Sequence, residues 1–211
     1  VYGRSLVQVA ADEDELFPLA VLRHANRVDD ADIRTLAETG VTVAHNPVCN
    51  LRLGSGIAPF RAWRKAGVHV CLGTDEAIAD DSINLWGALK GAGLLHTLAD
   101  PDWTTWPTAE EVLGVMYDGG ARAIGMPLPI GRIAPGAAGD VALIDLDTEA
   151  FTPLNDARRQ MVYAETGSSV RHVVVAGRIV VRDGRLTTID GKALRAEARA
   201  WAKAYRTQAE A

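Results

Sequence analysis

The 211 residues carry 27 acidic against 22 basic side chains, a formal net charge of −5 with a pI near 5.5, and the basic residues form no cluster or stripe. That balance excludes nucleic acid and an anionic membrane as partners and leaves a small neutral-to-cationic ligand as the better fit. With 48% hydrophobic and 23% charged residues, this is ordinary globular material, enough for a sizeable core or for one and a half domains.

No apolar run approaches the roughly 18 residues that cross a bilayer. The opening "VYGRSLVQVAADEDELF" lacks the basic start and apolar centre of a signal peptide. The expectation is a soluble protein of the cytoplasm with no membrane partner. Its two cysteines, Cys49 and Cys71, make no disulfide framework, and Cys71 falls in an apolar run where core packing is the expected role.

Three short apolar runs, "LAVLRH" (19–24), "VTVAHN" (41–46) and "VHVCLGTD" (68–75), have the length and continuous hydrophobicity of strands in a parallel sheet. Helical patterns separate them. The first has Asp29 as N-cap, Asp32 three positions on, an apolar face of Ile33, Leu36 and Ala37, and Gly40 as its stop. The second, "PFRAWRKAG", runs from Pro59 to Gly67. After Asp75, Asp80 or Asp81 is expected to cap a helix over Ser82–Leu98 with Leu85, Leu89 and Ala92 on one side. "TAEEVLGVMYDGGARAIG" then opens with a Thr108/Glu111 capping box. Alternating strand and helix is the grammar of an α/β fold.

From about Gly131 the pattern changes. A Gly/Pro-rich turn leads to the strand in "GDVALIDLD", and "VRHVVVAGRIVVRDGRLTT" reads as antiparallel strands joined at Ala176-Gly177 and Asp183-Gly184. The tail is a helix with Leu194, Ala198, Trp201 and Tyr205 on one face. The expected divisions are 1–130, an α/β part; 131–189, a β part; and 190–211, the closing helix.

In α/β barrels the working residues lie at the carboxyl ends of the parallel strands. The three runs end at His24, His45 and Asp75, an inventory for a metal site or for acid–base chemistry. Spacing alone would make these three the ligands of one zinc. The plainer alternative, a hydrogen-bonded strand-end histidine or a helix-capping aspartate, suits His69, His96 and His172 and suits Asp75 less, since several residues separate it from the next helix.

These residues resemble a known family. "HNPVCNLRLGSGIAPFRAWRKAGVHVCLGTDEAIADDSINLWGALK" is similar to the second half of the amidohydrolase superfamily, in its branch of cytosine, guanine and adenosyl deaminases and s-triazine (chloro)hydrolases. "LRHANRVDDADIRTLAETGV", "GARAIG", "GRIAPGAAGDVALIDLD" and "VVVAGRIVVRDGR" extend the resemblance over nearly the whole chain. It implies the C-terminal part of a (β/α)8 barrel, about strands six to eight, followed by part of a small β-sandwich and a C-terminal helix. It also implies a hydrolase that deaminates an amino-substituted purine, pyrimidine, adenosyl compound or s-triazine by metal-activated water.

Carried over by position, Asp75 in "GTD" is the metal-ligating and proton-shuttling carboxylate, and His24 is the catalytic histidine that hydrogen-bonds the group under attack. His45 and Asn50 in "HNPVCN" shape the pocket and support those residues. The implied cofactor is one divalent metal, zinc first and iron as the alternative. The implied partners are a small nitrogen heterocycle and further copies of the chain in a homodimer or higher oligomer.

The sequence departs from the family pattern at three rim positions. Cys49 replaces a common serine, Arg27 stands where a histidine or aromatic is frequent, and Glu76 replaces a glycine. Glu76 beside Asp75 predicts an amino-rich or cationic substrate. The chain also has no H-x-H and no histidine followed three residues later by glutamate, the family's other ligand and catalytic motifs. With three βα units of eight, the expectation is the C-terminal part of a longer protein lacking about 200 residues upstream, where the remaining ligands lie. The rival readings are dechlorination or cyclic-amide hydrolysis within the same fold, and a non-catalytic remnant or subunit. "GSG" at 54–56 lacks the glycine spacing of a nucleotide-binding fingerprint.

Overall fold

The structure, a computed structural model, describes residues 3–126 and 129–209. It opens on a helix that sequence patterning did not single out, α1 (Leu6–Asp12), capped by Ser5. The three apolar runs then form β1 (Val21–Arg23), β2 (Thr42–His45) and β3 (His69–Leu72), a parallel sheet with β2 in the centre. Helix α2 (Asp30–Thr39) connects β1 to β2 and carries the expected capping box, with the left-handed Gly40 ending it. Asp32 is buried there because its carboxylate also accepts from Ser5 Oγ and from Gln8 Nε2 of α1, which leaves no oxygen unsatisfied.

Two helices follow β2. The short α3 (Pro47–Arg52) starts on the Pro of "HNP", and α4 (Phe60–Ala66) ends at left-handed Gly67. In register, Leu22, Val43 and Val70 point to the helix side of the sheet, where Val43 and Val70 pack with Leu36, Phe60 and Trp63. Each such side chain, fully buried, contributes about 1.5–3 kcal/mol of transfer free energy. The pleat sends Arg23, Ala44 and Cys71 to the opposite face.

After β3 the expected cap moves. Ala77–Asp80 form one turn of helix, α5, Asp81 is left-handed, and Asn84 rather than Asp80 or Asp81 caps α6 (Leu85–Leu95). Asn84 Oδ1 accepts from Trp86 N, and its Nδ2 donates to the sequence-distant Thr166 O, so the amide satisfies two groups where a carboxylate, which cannot donate, satisfies only the first. Leu89 and Ala92 are buried as the pattern predicts, while Leu85 is exposed. The Thr108/Glu111 capping box starts α7 (Ala109–Gly114), but the helix passes through a π-turn over Val115–Gly119 before α8 (Gly120–Ile124). The wider turn brings Gly119 against β3, where an added Cβ would lie 2.0 Å from Val70 O.

The later strands are β4 (Val141–Ile144), β5 (Val170–Val175), β6 (Arg178–Arg182) and β7 (Arg185–Leu186), in one antiparallel sheet of that order. Ala176-Gly177 and Asp183-Gly184 make the two hairpin turns with positive φ at both positions. Between β4 and β5 lies α9 (Ala157–Tyr163), a helix not expected from the sequence, capped by Asp156. The chain ends in α10 (Gly191–Ala209), whose Leu194, Trp201 and Tyr205 are exposed. Contacts divide the chain into one unit of residues 1–137 and 146–167 and a second of residues 138–145 and 168–211. The segment 146–167 thus packs with the α/β part rather than with the strands around it in sequence. The observed class is α/β, and no described helix is long and apolar enough to cross a membrane.

Candidate active site

The carboxyl ends of β1 and β3 bring His24 and Asp75 together. His24 Nε2 lies 3.1 Å from Asp75 Oδ2. The ring is oriented from its other side: Asn50 donates its Nδ2 to Asn26 Oδ1 at 2.9 Å, so its Oδ1 is left to accept from His24 Nδ1, also at 2.9 Å. That fixes a proton on Nδ1 and turns Nε2 toward the carboxylate. Both His24 and Asp75 are left-handed, at φ 67° and 63°, and so is Ala25 at 49°. Side chains other than glycine, asparagine and aspartate resist that conformation by about 1–2 kcal/mol each, and clusters of such residues mark functional sites.

The Asp75 side chain is only 7% exposed, and each of its oxygens is engaged. Oδ1 accepts from Glu76 N at 2.8 Å and lies 3.8 Å from the Arg23 guanidinium. Oδ2 also faces Asn46 Nδ2 at 3.5 Å. Burial pushes this carboxyl up, but the Cys49 thiol, the Glu76 N–H and the charges of His24 and Arg23 outweigh it, so it sits below its ordinary value and is ionised. Asn46 and Arg23 were not singled out in the sequence. Asn46 had a signal, its place in "HNP"; the role of Arg23 depends on a partner two strands away and had none.

Asn46 sets a steric condition on its neighbour strand. A Cβ at Gly73 would lie 2.2 Å from Asn46 Oδ1, so glycine in "LGTD" makes room for the amide that reaches Asp75. Cys49, nearly fully buried on α3, completes the cluster: its sulfur, a His24 ring nitrogen and an Asp75 oxygen all lie within 4.8 Å of one another. The cluster opens on a basin of about 850 Å³ whose wall includes Arg23, Asn26, Arg27, Ser55 and Glu76. Within the cluster the Asp75 carboxylate, which lines the basin, is an oxygen donor that fits a divalent metal such as zinc.

Glu76 is placed at this rim as expected, but its carboxylate lies 4.0 Å from Arg23, so its charge is offset within the chain rather than left for a cationic ligand. His45 is the larger correction. It is not at the basin: the pleat of β2 turns it to the helix side, fully buried, with Phe60 and Trp63 rings 5.9 and 6.1 Å away. Its Nε2 meets His96 Nε2 at 3.1 Å. Burial, followed by the charges of His96 and His24, pushes His45 down to about 3, and burial pushes His96 down to about 4. Both rings are therefore neutral near pH 7, with one proton shared between them. His45 Nδ1 has no partner among the described residues, which favours a bare acceptor there and the donated proton on His45 Nε2.

The family profile described as the amidohydrolase family matches residues 5–180. The chain belongs to the amidohydrolase family. Among the similar curated amidohydrolases, a 5-methylthioadenosine/S-adenosylhomocysteine deaminase of Syntrophobacter fumaroxidans is 38% identical over 90% of this chain and 43% of that protein. Of the solved structures, an adenosine deaminase from Xanthomonas campestris with bound zinc superposes with a TM-score of 0.92 at 30% identity, over 98% of this chain and 47% of that one. An atrazine chlorohydrolase from Arthrobacter aurescens complexed with zinc gives 0.88 at 30% identity, over 94% and 44%. This amidohydrolase chain thus spans less than half the length of the relatives it matches.

Proposed function

We propose that the whole protein to which this chain belongs is a metal-dependent hydrolase that deaminates an amino-substituted nitrogen heterocycle, an adenosine-type compound first and an s-triazine second. The observation that carries this reading is the contact of His24 Nε2 with the buried, ionised Asp75 carboxylate at the floor of an open basin. The names of the deaminase and triazine relatives support the same class. On this reading β1, β2 and β3 are the sixth to eighth strands of a (β/α)8 barrel, and the protein works in the cytoplasm as a homo-oligomer.

Asp75, together with groups from the rest of the longer chain, would hold one divalent metal, zinc first and iron second, which would supply Lewis acidity that lowers the pKa of water. The chain's own groups then move protons. Asp75 takes one from the attacking water and passes it to the departing amine, so that a C–N bond breaks, a C–O bond forms and ammonia leaves. His24, locked by Asn50, presents Nε2 to the heterocycle and steadies the charge that builds there. Cys49, Asn46 and the Glu76 N–H hold the carboxylate in place.

The test is ammonia release by the full-length, zinc-loaded protein from adenosine, 5′-methylthioadenosine, cytosine and aminotriazines. Release from at least one, lost in Asp75→Asn, is expected. No ammonia from any of them, or release untouched by Asp75→Asn, overturns the reading.

A further inference from the structure

Two arginines stand at the wall of the basin, and only one is balanced. Arg23 lies 3.8 Å from Asp75 and 4.0 Å from Glu76, so its charge is shared between two carboxylates. Arg27 also lines the basin, yet among the described residues its guanidinium has no ion pair and no hydrogen bond. Opposite it in sequence, on the loop after α3, Ser55 lines the same basin, and its hydroxyl is likewise without a partner among the described residues. The two loops are fastened together: Asn26 Nδ2 donates to Gly56 O at 3.4 Å, while Asn26 Oδ1 accepts from Asn50 Nδ2 at 2.9 Å. Asn50 in turn holds His24. The amide network that orients the catalytic imidazole therefore also fixes where Arg27 and Ser55 leave the backbone.

A cation and a hydroxyl donor on tied loops, with the other charges of the wall already paired, make a place for a planar anion. We infer that Arg27, assisted by Ser55, is a specificity-determining residue that binds a carboxylate on the substituent of the heterocycle. This reverses the sign of the preference expected from Glu76. It rests on the proposed deamination for the position of the ring, because a heterocycle whose reacting carbon sits at His24 and Asp75 extends its substituent along the basin wall.

The test compares a carboxylate-bearing and a neutral adenosyl compound, S-adenosylhomocysteine and 5′-methylthioadenosine, in the full-length protein and its Arg27→Met and Arg27→Lys variants. Both binding, by calorimetry, and kcat/KM are measured. A guanidinium–carboxylate contact makes the affinity ratio favour S-adenosylhomocysteine, and Arg27→Met cuts that ratio about tenfold to a hundredfold, mainly through KM, with Arg27→Lys in between. A ratio that Arg27→Met leaves unchanged overturns the inference while the deaminase reading stands. If neither compound is turned over but the binding ratio still falls in Arg27→Met, the anion site stands, and the deaminase reading is decided separately by adenosine, cytosine and the aminotriazines. Absence of binding of both compounds overturns the inference.

Discussion

His24 and Asp75 leave their strands through the same left-handed conformation, φ 67° and 63°, and their side chains meet at 3.1 Å. Holding the histidine there costs about 1–2 kcal/mol, while aspartate adopts the conformation more readily. On the proposed function, replacing either by a group that cannot move a proton should remove activity without unfolding the protein. Asp75→Asn tolerates the backbone and loses the carboxylate; His24→Asn likewise tolerates it and loses the imidazole. Turnover in each is expected to fall by about two to four orders of magnitude, with thermal denaturation near that of the parent. Metal analysis after dialysis should show loss in Asp75→Asn.

The next prediction is steric. Gly73→Ala drives a Cβ to 2.2 Å from Asn46 Oδ1. Asn46 has to leave Asp75 or the strands have to part, and the expected cost is about 1–3 kcal/mol. Urea denaturation gives the stability and ammonia release gives the function; a variant matching the parent in both would show that the amide has room to spare.

Cys49 separates hydrogen bonding from size. Its thiol bonds the Asp75 carboxylate, and a hydroxyl can do the same. Cys49→Ser is expected to stay within a few-fold of the parent, whereas Cys49→Ala, which removes the donor, falls by about tenfold. Equal rates in the two variants would show that the thiol does not help to hold Asp75.

Acid should unfold the protein through His45 and His96. Their pKa values are pushed down to about 3 and about 4, against 6.5 in an unfolded chain. The unfolded state therefore binds protons below pH 6.5 that the folded state refuses. The stability this pair contributes is fully present above pH 6.5 and drains away as pH falls toward 4 for His96 and toward 3 for His45, by up to about 1.4 kcal/mol per pH unit for each ring. The slope of stability against pH over that window should flatten in the double replacement His45→Phe with His96→Phe. A slope unaltered by the double replacement would assign acid lability to other groups.

The strands, their parallel order and the capped helix α2 were legible because each rests on local chemistry: apolar runs, Asp29 with Asp32, and Gly40. So were the two hairpin turns. The cap of α6 was not, because Asn84 is chosen by a distant carbonyl, Thr166 O, that no local pattern reveals. The same division runs through the site. His24 and Asp75 end apolar runs and could be found from that alone. His45 ends one too, yet faces the other way, because an apolar run without alternation conceals which side of the pleat a residue takes. Arg23, Asn26 and Asn46 matter through partners far along the chain, and only the folded arrangement supplies those.

Consecutive residues at the end of β2 serve opposite masters. His45 points to Phe60, Trp63 and His96, and Asn46 reaches Asp75. Their order is thus a phase, and the phase is fragile: deleting one residue within 42–44 would put the Asn46 amide among the aromatic rings, and inserting one there would put the His45 imidazole beside the Asp75 carboxylate. Length changes in this protein should therefore be absent from the strand itself. Counting residues before "NP" in any variant is a quick way to tell which of them keep the basin.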